Sequence, residues 1–184
     1  MKKISIIHFG WLLLLSILIG ACSKSEADKP ESSPITPGSN EDKSVINWTV
    51  DGASYSFGGN AIYSPSVDKV SLGSLDDDNN YQIDIVFKGN KEGQFKMGNS
   101  NEAGKASIVF MNMISEKEYV NTYVEDCQQG GFVYTEGEVN ITRVGKVGDY
   151  IEGNFSATLY DSDHCNSKAH VKVKGQFKLL RVGS

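Results

Sequence analysis

Apolar and polar residues alternate along much of the chain from residue 45 onward, and this pattern constrains the fold more than any other feature of the sequence. The alternation is clearest in residues 81–88, 151–159 and 170–179. Successive side chains of a β-strand point to opposite faces of a sheet, so a period of two is typical of strands with one buried face. Only residues 113–119 could form a helical turn, and no segment shows helical periodicity over the ten or more residues that a helix needs. The pattern therefore predicts an antiparallel all-β fold.

Turn-forming residues divide the alternating segments at short intervals. Asp51-Gly52 separates the segments INWTV and ASYSF, and both residue types accept positive φ angles, which predicts a hairpin there. The spacing of the turns predicts roughly nine to eleven strands. Glycines inside strands, such as Gly153 and Gly175, suit the bends of packed sheets and of barrels alike. We expect an antiparallel β-sandwich, with a lipocalin-like closed barrel as the alternative.

The first 22 residues have the layout of a bacterial export signal. Lys2 and Lys3 precede an apolar stretch that runs to residue 19, after which the chain becomes polar. This stretch is shorter than the about 20 residues that span a bilayer. The tetrad Ile19-Gly20-Ala21-Cys22 resembles the lipobox of bacterial lipoproteins. The resemblance implies that residues 1–21 are a signal peptide and that Cys22 carries a membrane-anchoring lipid such as palmitate. The alternative is an ordinary secretory signal whose cleavage site adjoins a cysteine.

Residues 22–44 have the composition of a flexible linker. Residues 23–44 contain three of the four prolines of the chain, many charges and no aromatic residue. Such a segment cannot bury enough apolar surface to fold on its own. We therefore expect the lipidated cysteine and a disordered tether over residues 22–44. A single all-β domain is expected over residues 45–184, since the remaining length is typical of one domain.

The net charge argues against a nucleic-acid partner. The chain carries a formal charge of −5, and removal of residues 1–21, which hold two lysines and no acid, makes it −7. Binding to phosphate backbones needs clustered lysine and arginine residues, and no such cluster occurs in the sequence. The expected partners are a membrane, through the anchor at Cys22, and an unidentified protein or glycan.

Two cysteines remain once Cys22 is assigned to the lipid. Cys127 and Cys165 form an even pair in a chain that is expected to reach an oxidising compartment. We therefore predict a disulfide between them, worth about 3 to 4 kcal/mol in the chain-entropy model. Two free thiols are the alternative.

Aromatic residues are concentrated around Cys127. Tyr119, Tyr123, Phe132 and Tyr134 flank it, and rings beside a constrained loop form a surface that suits a sugar or a peptide. These four residues are the candidate ligand-facing positions. The alternative is that their rings fill the core beside the loop.

Residues with catalytic or metal-binding chemistry form no recognisable constellation. The acidic segments 76–80 and 161–163 lack the spaced ligands of a calcium loop and are interpreted as solvated turns. No nucleophile is paired in sequence with a base and an orienting group. We therefore predict no catalytic residue, no metal site, no cofactor and no enzymatic activity.

Three segments of the exported part carry a family resemblance. The opening pattern W-T-V-D-G-x-x-Y spans residues 48–55, G-x-F-S spans residues 153–156, and G-x-F spans residues 175–177. Together with the lipobox and the tether, this layout resembles small uncharacterised envelope lipoproteins of the Bacteroidota. The resemblance implies an all-β fold and an envelope location, and no activity accompanies it. Enterobacterial lipoproteins that stay in the inner membrane carry an acidic retention residue after the lipidated cysteine, and this chain has Ser23 there. The resemblance therefore favours the outer membrane, with the domain facing either the periplasm or the cell surface.

These observations favour a lipid-anchored outer-membrane protein whose β domain is a non-catalytic binding or interaction module. Two alternatives belong to other classes. One is a hydrolase whose carboxylate site is assembled from distant strands and is invisible in the sequence. The other is a carrier of apolar ligands, which requires the lipocalin-like barrel and an open lumen.

Overall fold

The computed structural model describes residues 43–76, 78–125, 130–163 and 169–183. They form twelve strands and no helix. The strands are β1 (Val45–Val50), β2 (Ala53–Ser64), β3 (Lys69–Leu75), β4 (Tyr81–Lys88), β5 (Gly93–Met97), β6 (Lys105–Asn112), β7 (Lys117–Val120), β8 (Thr122–Val124), β9 (Phe132–Tyr134), β10 (Gly137–Val144), β11 (Tyr150–Asp161) and β12 (His170–Val182). The all-β prediction is therefore confirmed.

The alternating segments of the sequence are strands with one buried face. In β4, Ile83, Ile85 and Phe87 are fully buried, while the residues between them are partly exposed. The same alternation holds in β11 and β12, which form the longest antiparallel pairing among the described strands. The period-two pattern thus predicted both the strands and the faces that they bury.

Most of the strands belong to one continuous hydrogen-bonded sheet. Ten strands form one sheet in the order β1, β12, β2, β3, β4, β6, β5, β10, β11, β7, and β8 pairs with β9 in a second sheet. Strand β12 pairs antiparallel with β11 and parallel with β2, which joins the two halves of the large sheet. Strands β5 and β6 form a second, short parallel pair. Every other pairing among the described strands is antiparallel.

The architecture is sandwich-like and is not a regular barrel. The first half of β2 pairs with β1 alone, and only its second half joins β3 and β12. Strand β6 likewise changes neighbour, from β5 at its start to β7 at its end. The twelve strands exceed the expected nine to eleven because β7, β8 and β9 are too short for their alternation to be recognised.

The interior is filled by one apolar cluster from the inner faces of the strands. Trp48, Phe87 and Phe95 are among its largest fully buried side chains, and the rings of Phe87 and Phe95 lie 4.6 Å apart between centroids. Tyr55, Phe57 and other half-buried residues pack against this cluster. Close packing of this kind supplies most of the stability of a β domain.

The hairpin predicted at Asp51-Gly52 is confirmed. Strands β1 and β2 pair in register from Val50↔Ala53 onward, leaving a two-residue turn. The φ angles of Asp51 and Gly52 are 47° and 92°. Positive φ at both turn positions is the geometry of a type I′ turn, whose twist matches that of the flanking strands.

The two G-x-F patterns form a reciprocal contact between β11 and β12. Gly153 lies opposite Phe177, and Phe155 lies opposite Gly175. A Cβ atom on Gly153 would lie 2.7 Å from Cζ of Phe177, and one on Gly175 would lie 2.7 Å from Cζ of Phe155. Each phenyl ring therefore covers the glycine of the neighbouring strand, and neither glycine has room for a side chain.

Residues 113–119, the one segment of the sequence compatible with a helical turn, form no helix. Residues 113–116 form a tight turn between β6 and β7, and the strand resumes at Lys117. The Asn112 side chain accepts a hydrogen bond from the Ser115 amide, and Glu116 takes a φ of 54°. A local side-chain bond to the backbone stabilises this turn where no glycine is available.

Several sequence predictions fall outside the described residues. These are the signal peptide over residues 1–21, the lipidation of Cys22, most of the tether, and the disulfide between Cys127 and Cys165. They stay predictions. Within the described part of the chain, no helix is long and apolar enough to cross a membrane.

Candidate functional site

The β8–β9 hairpin carries three of the four aromatic residues singled out in the sequence. Its register pairs Thr122 with Tyr134, Tyr123 with Val133 and Val124 with Phe132. Side chains alternate across the two strands, so Tyr123 and Val133 share one face and the other four residues share the opposite face. The hairpin therefore has two faces with different surroundings.

The inner face of the hairpin packs on the large sheet. The Tyr123 ring lies 4.7 Å from the Tyr160 ring of β11, which in turn lies 5.7 Å from the His170 ring of β12. At the base, the Thr135 amide donates to the Asn121 carbonyl, and the buried Asn121 side chain donates to the Gly98 carbonyl. These contacts hold the hairpin in place against the sheet.

The outer face of the hairpin presents two aromatic rings to solvent. Phe132 is 73% exposed and Tyr134 is 44% exposed, and Phe132 is the most exposed large apolar side chain among the described residues. Thr122 and Val124, which share this face, are half-buried. We call the surface formed by Thr122, Val124, Phe132 and Tyr134 the hairpin face. A phenyl ring with this exposure contributes little to the buried core.

Tyr119 does not belong to this surface. It lies on β7, and its ring stacks on Phe110 at 5.9 Å. Phe110 in turn contacts Tyr81 and Tyr55, and Tyr55 stacks on Trp48 at 5.4 Å. The alternative that the rings fill the core is therefore correct for Tyr119. Phe132 and Tyr134 are exposed, and their role as ligand-facing residues stays a prediction, while Tyr123 supports the hairpin from beneath.

A buried acid beside the hairpin is neutralised by a lysine. Asp161, at the end of β11, is 2% exposed, and its carboxylate accepts a hydrogen bond from the Lys117 ammonium of β7. The other carboxylate oxygen accepts from the Asp163 amide at 3.1 Å. The hydrogen bond to Asp161 raises the pKa of Lys117. The segment 161–163 thus uses its first acid to hold its own backbone and to fix β7, which is a structural role.

The second acidic segment is organised in the same way. The Asp76 carboxylate accepts a hydrogen bond from the Tyr81 amide at 2.9 Å, and its carbonyl accepts from the Asn79 amide at 2.9 Å. Asp76 is buried, whereas Asp78 is exposed. Among the described residues, no three His, Cys, Asp or Glu side chains gather as cation ligands. The acid of the turn therefore orders the β3–β4 connection.

Among the described residues, Asp84 is a carboxyl group whose pKa is raised, as that of a general acid would be. Burial raises the pKa of Asp84, on the outer face of β4, while a hydrogen bond from the Gln82 amide opposes the rise. Hydrolases of the expected kind use two acids that act on each other. Within the part of the chain that the structure describes, no second carboxylate contributes to the pKa of Asp84. Glu138 is held by Lys96 at 2.7 Å, which lowers its pKa.

Comparisons with protein-family models, with curated proteins and with solved structures give no significant match. The function must therefore be inferred from the chain itself.

Proposed function

We propose that this protein is a lipid-anchored lipoprotein of the bacterial outer membrane whose β domain binds a protein or glycan partner without catalysis. In this proposal Cys22 carries the lipid, residues 22–44 are the tether, and a disulfide between Cys127 and Cys165 constrains the loops next to the hairpin. The hairpin face is the contact surface.

The exposure of Phe132 is the observation that carries this proposal. A largely exposed phenyl ring is unfavourable in water, and burying it against a partner gains up to about 1.5 to 3 kcal/mol. Aromatic residues are enriched in the centres of binding interfaces, where a few rings supply most of the affinity. The neighbouring Tyr134 adds a hydroxyl group that can hydrogen-bond a partner. The contacts of Tyr123 and Asn121 preorganise the surface, which lowers the entropy cost of binding.

The interior favours binding at the surface over transport in a lumen. Large side chains such as Trp48, Phe87 and Phe95 fill the space inside the strands. A carrier of apolar ligands needs an open cavity of about 300 Å³ or more. The carrier alternative would require these rings to move, so the hairpin face is the better candidate.

A capture experiment with matched variants tests the binding proposal. The purified full chain is immobilised and exposed to solubilised envelope proteins and to a glycan array. We expect specific retention of a partner that is lost in the double variant Phe132→Ser/Tyr134→Ser. The control is Val67→Ser/Ile114→Ser, which removes two apolar side chains that are 55% and 65% exposed in other turns. Equal retention by both double variants, or no retention by the unmodified chain, contradicts the proposal.

Metabolic labelling tests the anchor independently. Cells that express the full chain are grown with an alkyne analogue of palmitate. We expect the label on the protein, and we expect Cys22→Ser to abolish it and to leave the precursor unprocessed. Label that persists in Cys22→Ser would place the lipid on another residue and contradict the anchor at Cys22. An unlabelled and processed wild-type chain would indicate the ordinary secretory signal instead.

A further inference from the structure

Strand β2 changes neighbour halfway along its length, and this leaves one edge of its first half unpaired. Residues 53–58 pair with β1 on one side. Strand β3 pairs only with residues 59–64, and β12 pairs only with residues 60–62. The second edge of residues 53–58 therefore has no partner strand among the described residues. We call it the β2 edge.

The backbone of Ala53, and of every second residue after it, faces β1. Neighbouring residues of a strand direct their N–H and C=O groups to opposite sides. The residues that flank a two-residue hairpin turn bond to each other, so Ala53 bonds to Val50. The same alternation reaches Gly59, whose amide donates to the Ser44 carbonyl at 3.3 Å. The residues between these positions must therefore direct their backbone groups to the β2 edge.

Ser54, Ser56 and Gly58 are the residues whose backbone faces the β2 edge. The Gly58 carbonyl accepts a hydrogen bond from the Ser74 hydroxyl at 2.8 Å, which agrees with this direction. The amides and carbonyls of Ser54 and Ser56 make no hydrogen bond to any described residue on this side. Both serines are exposed, so two donors and two acceptors are open to pairing.

The β2 edge lacks the features that usually keep sheet edges from pairing. Exposed edges of monomeric proteins are protected by charged side chains, prolines or bulges. Residues 53–64 contain no charged residue and no proline, and the pairing of β1 with β2 has no register shift. The outer face of β12, in contrast, carries Lys172, Lys174 and Lys178. An edge of six uncharged residues is suited to accept a further strand.

The β2 edge is complementary to a second copy of itself. In antiparallel pairing about a two-fold axis at Tyr55, each Ser54 lies opposite Ser56 of the other copy. Each of these two serine pairs exchanges two hydrogen bonds, so every open backbone group of both serines is satisfied. Because the strand is uncharged, no like charges meet across the axis. The two half-buried Tyr55 side chains lie opposite each other and add an aromatic cross-strand pair.

We propose that this protein forms a homodimer in which the β2 edges of two copies pair antiparallel and join their sheets into one. The second copy supplies the hydrogen-bond partners that Ser54 and Ser56 lack. The hairpin face lies on other strands and takes no part in this contact. The dimer therefore stands whether or not the hairpin face binds a partner.

Sedimentation of the purified full chain tests whether the dimer forms. The chain is measured at about 1 to 300 µM in detergent, which covers micromolar dissociation constants. Micelles are kept in excess over chains, so that two copies do not share a micelle by chance. We expect monomer at the lowest concentration and dimer at the highest, with a dissociation constant in the micromolar range that is typical of small interfaces. A monomer at every concentration overturns the proposal.

Two double variants test whether association uses the β2 edge. Ser54→Lys/Ser56→Lys places lysines opposite lysines across the axis, and we expect at least about tenfold weaker association. The matched control is Asn154→Lys/Ser156→Lys. It adds two lysines at exposed positions of β11, whose edges are already paired with β10 and β12. The control should associate like the unmodified chain, and equal dissociation constants for the two variants would reject the β2 edge as the contact.

Amide hydrogen exchange, followed by NMR on the unmodified chain, tests the contact residue by residue. The amides of Tyr55 and Phe57 face β1 and should exchange slowly at every concentration. The amides of Ser54 and Ser56 should exchange quickly in dilute solution and at least about tenfold more slowly in the dimer. A dimer in which both serine amides stay fast uses another surface, and this overturns the proposal. The measurement needs no variant, so it decides the question if Ser54→Lys/Ser56→Lys does not fold.

Discussion

The reciprocal contact between β11 and β12 gives the sharpest stability prediction. In Gly175→Ala, the new Cβ atom would lie 2.7 Å from Cζ of Phe155 and closer still to the Asn47 carbonyl oxygen of β1. Ordinary contact begins at 3.4 Å, so the ring and the adjacent strand must both move by roughly 0.5 to 1 Å. Overpacking of this kind costs about 1 to 3 kcal/mol. At about 4 °C for each kcal/mol in a domain of this size, the thermal midpoint should fall by roughly 4 to 12 °C.

Gly58→Ala is the matched control for this substitution. Gly58 is also a strand glycine without a positive φ angle, and the nearest atom to its added Cβ would be the Ser44 carbonyl oxygen at 3.8 Å. Its unfolding free energy should change by less than about 0.5 kcal/mol. Urea unfolding of both variants is the assay. If Gly175→Ala is as stable as Gly58→Ala, the reasoning from the Gly175–Phe155 contact is refuted.

The ring contact and the backbone contact can be separated by a double-mutant cycle. Phe155→Leu removes the ring that meets the new Cβ atom, while the Asn47 carbonyl stays in place. We expect Gly175→Ala to cost less in the Phe155→Leu background, with a coupling energy of about 0.5 to 2 kcal/mol. Strict additivity would assign the whole cost to the backbone of β1.

Three further predictions concern charged and sulfur-bearing groups. Burial raises the pKa of Asp84, so ionisation of this carboxyl group destabilises the folded state as the pH rises above the ordinary aspartate pKa. In urea unfolding, Asp84→Asn should therefore be more stable than the unmodified chain at pH 7. The two proteins should be equally stable below about pH 3.8. Lys117→Met should lower the urea midpoint at pH 7, because Asp161 loses its ammonium partner. The difference between variant and unmodified chain should shrink at high pH, where Lys117 of the unmodified chain loses its charge. An unchanged midpoint at pH 7 would show that the Lys117–Asp161 ion pair does not stabilise the fold. Cys127→Ser, Cys165→Ser and the double variant should each lose the same about 3 to 4 kcal/mol without reductant, whereas additive losses would indicate separate thiols.

Strands with a long alternation of apolar and polar residues could be predicted from the sequence. The parallel pairing of β12 with β2, which joins the two halves of the sheet, could not. Residues 81–88 predict β4 with its buried face, because the period of two is a local property. The parallel pairing of β12 with β2 joins Leu180 to Asn60. Nothing in a single sequence encodes a register between residues so far apart, which is why sandwich and barrel were both compatible with the pattern.

The candidate site could be located in the sequence but not described in detail. The strands β8 and β9 have three residues each, so alternation cannot indicate which side faces the sheet. The positions of Tyr123 and Phe132 depend instead on the contact with Tyr160, which is distant in sequence.

The triple pairing of β12 has a consequence for how the chain reaches its folded state. This strand contacts β1, β2 and β11, and the register joins Val45 to Lys178. A chain that ends before residue 170 lacks β12, so β1 with Ile46 and Trp48 loses one of its two partner strands. The link between β11 and β2 through β12 is lost as well. Productive folding must therefore wait until both ends of the domain are present in the same compartment. A domain built in this way stays unfolded while it is being synthesised, and it becomes protease-resistant only once residues 170–182 are available to pair.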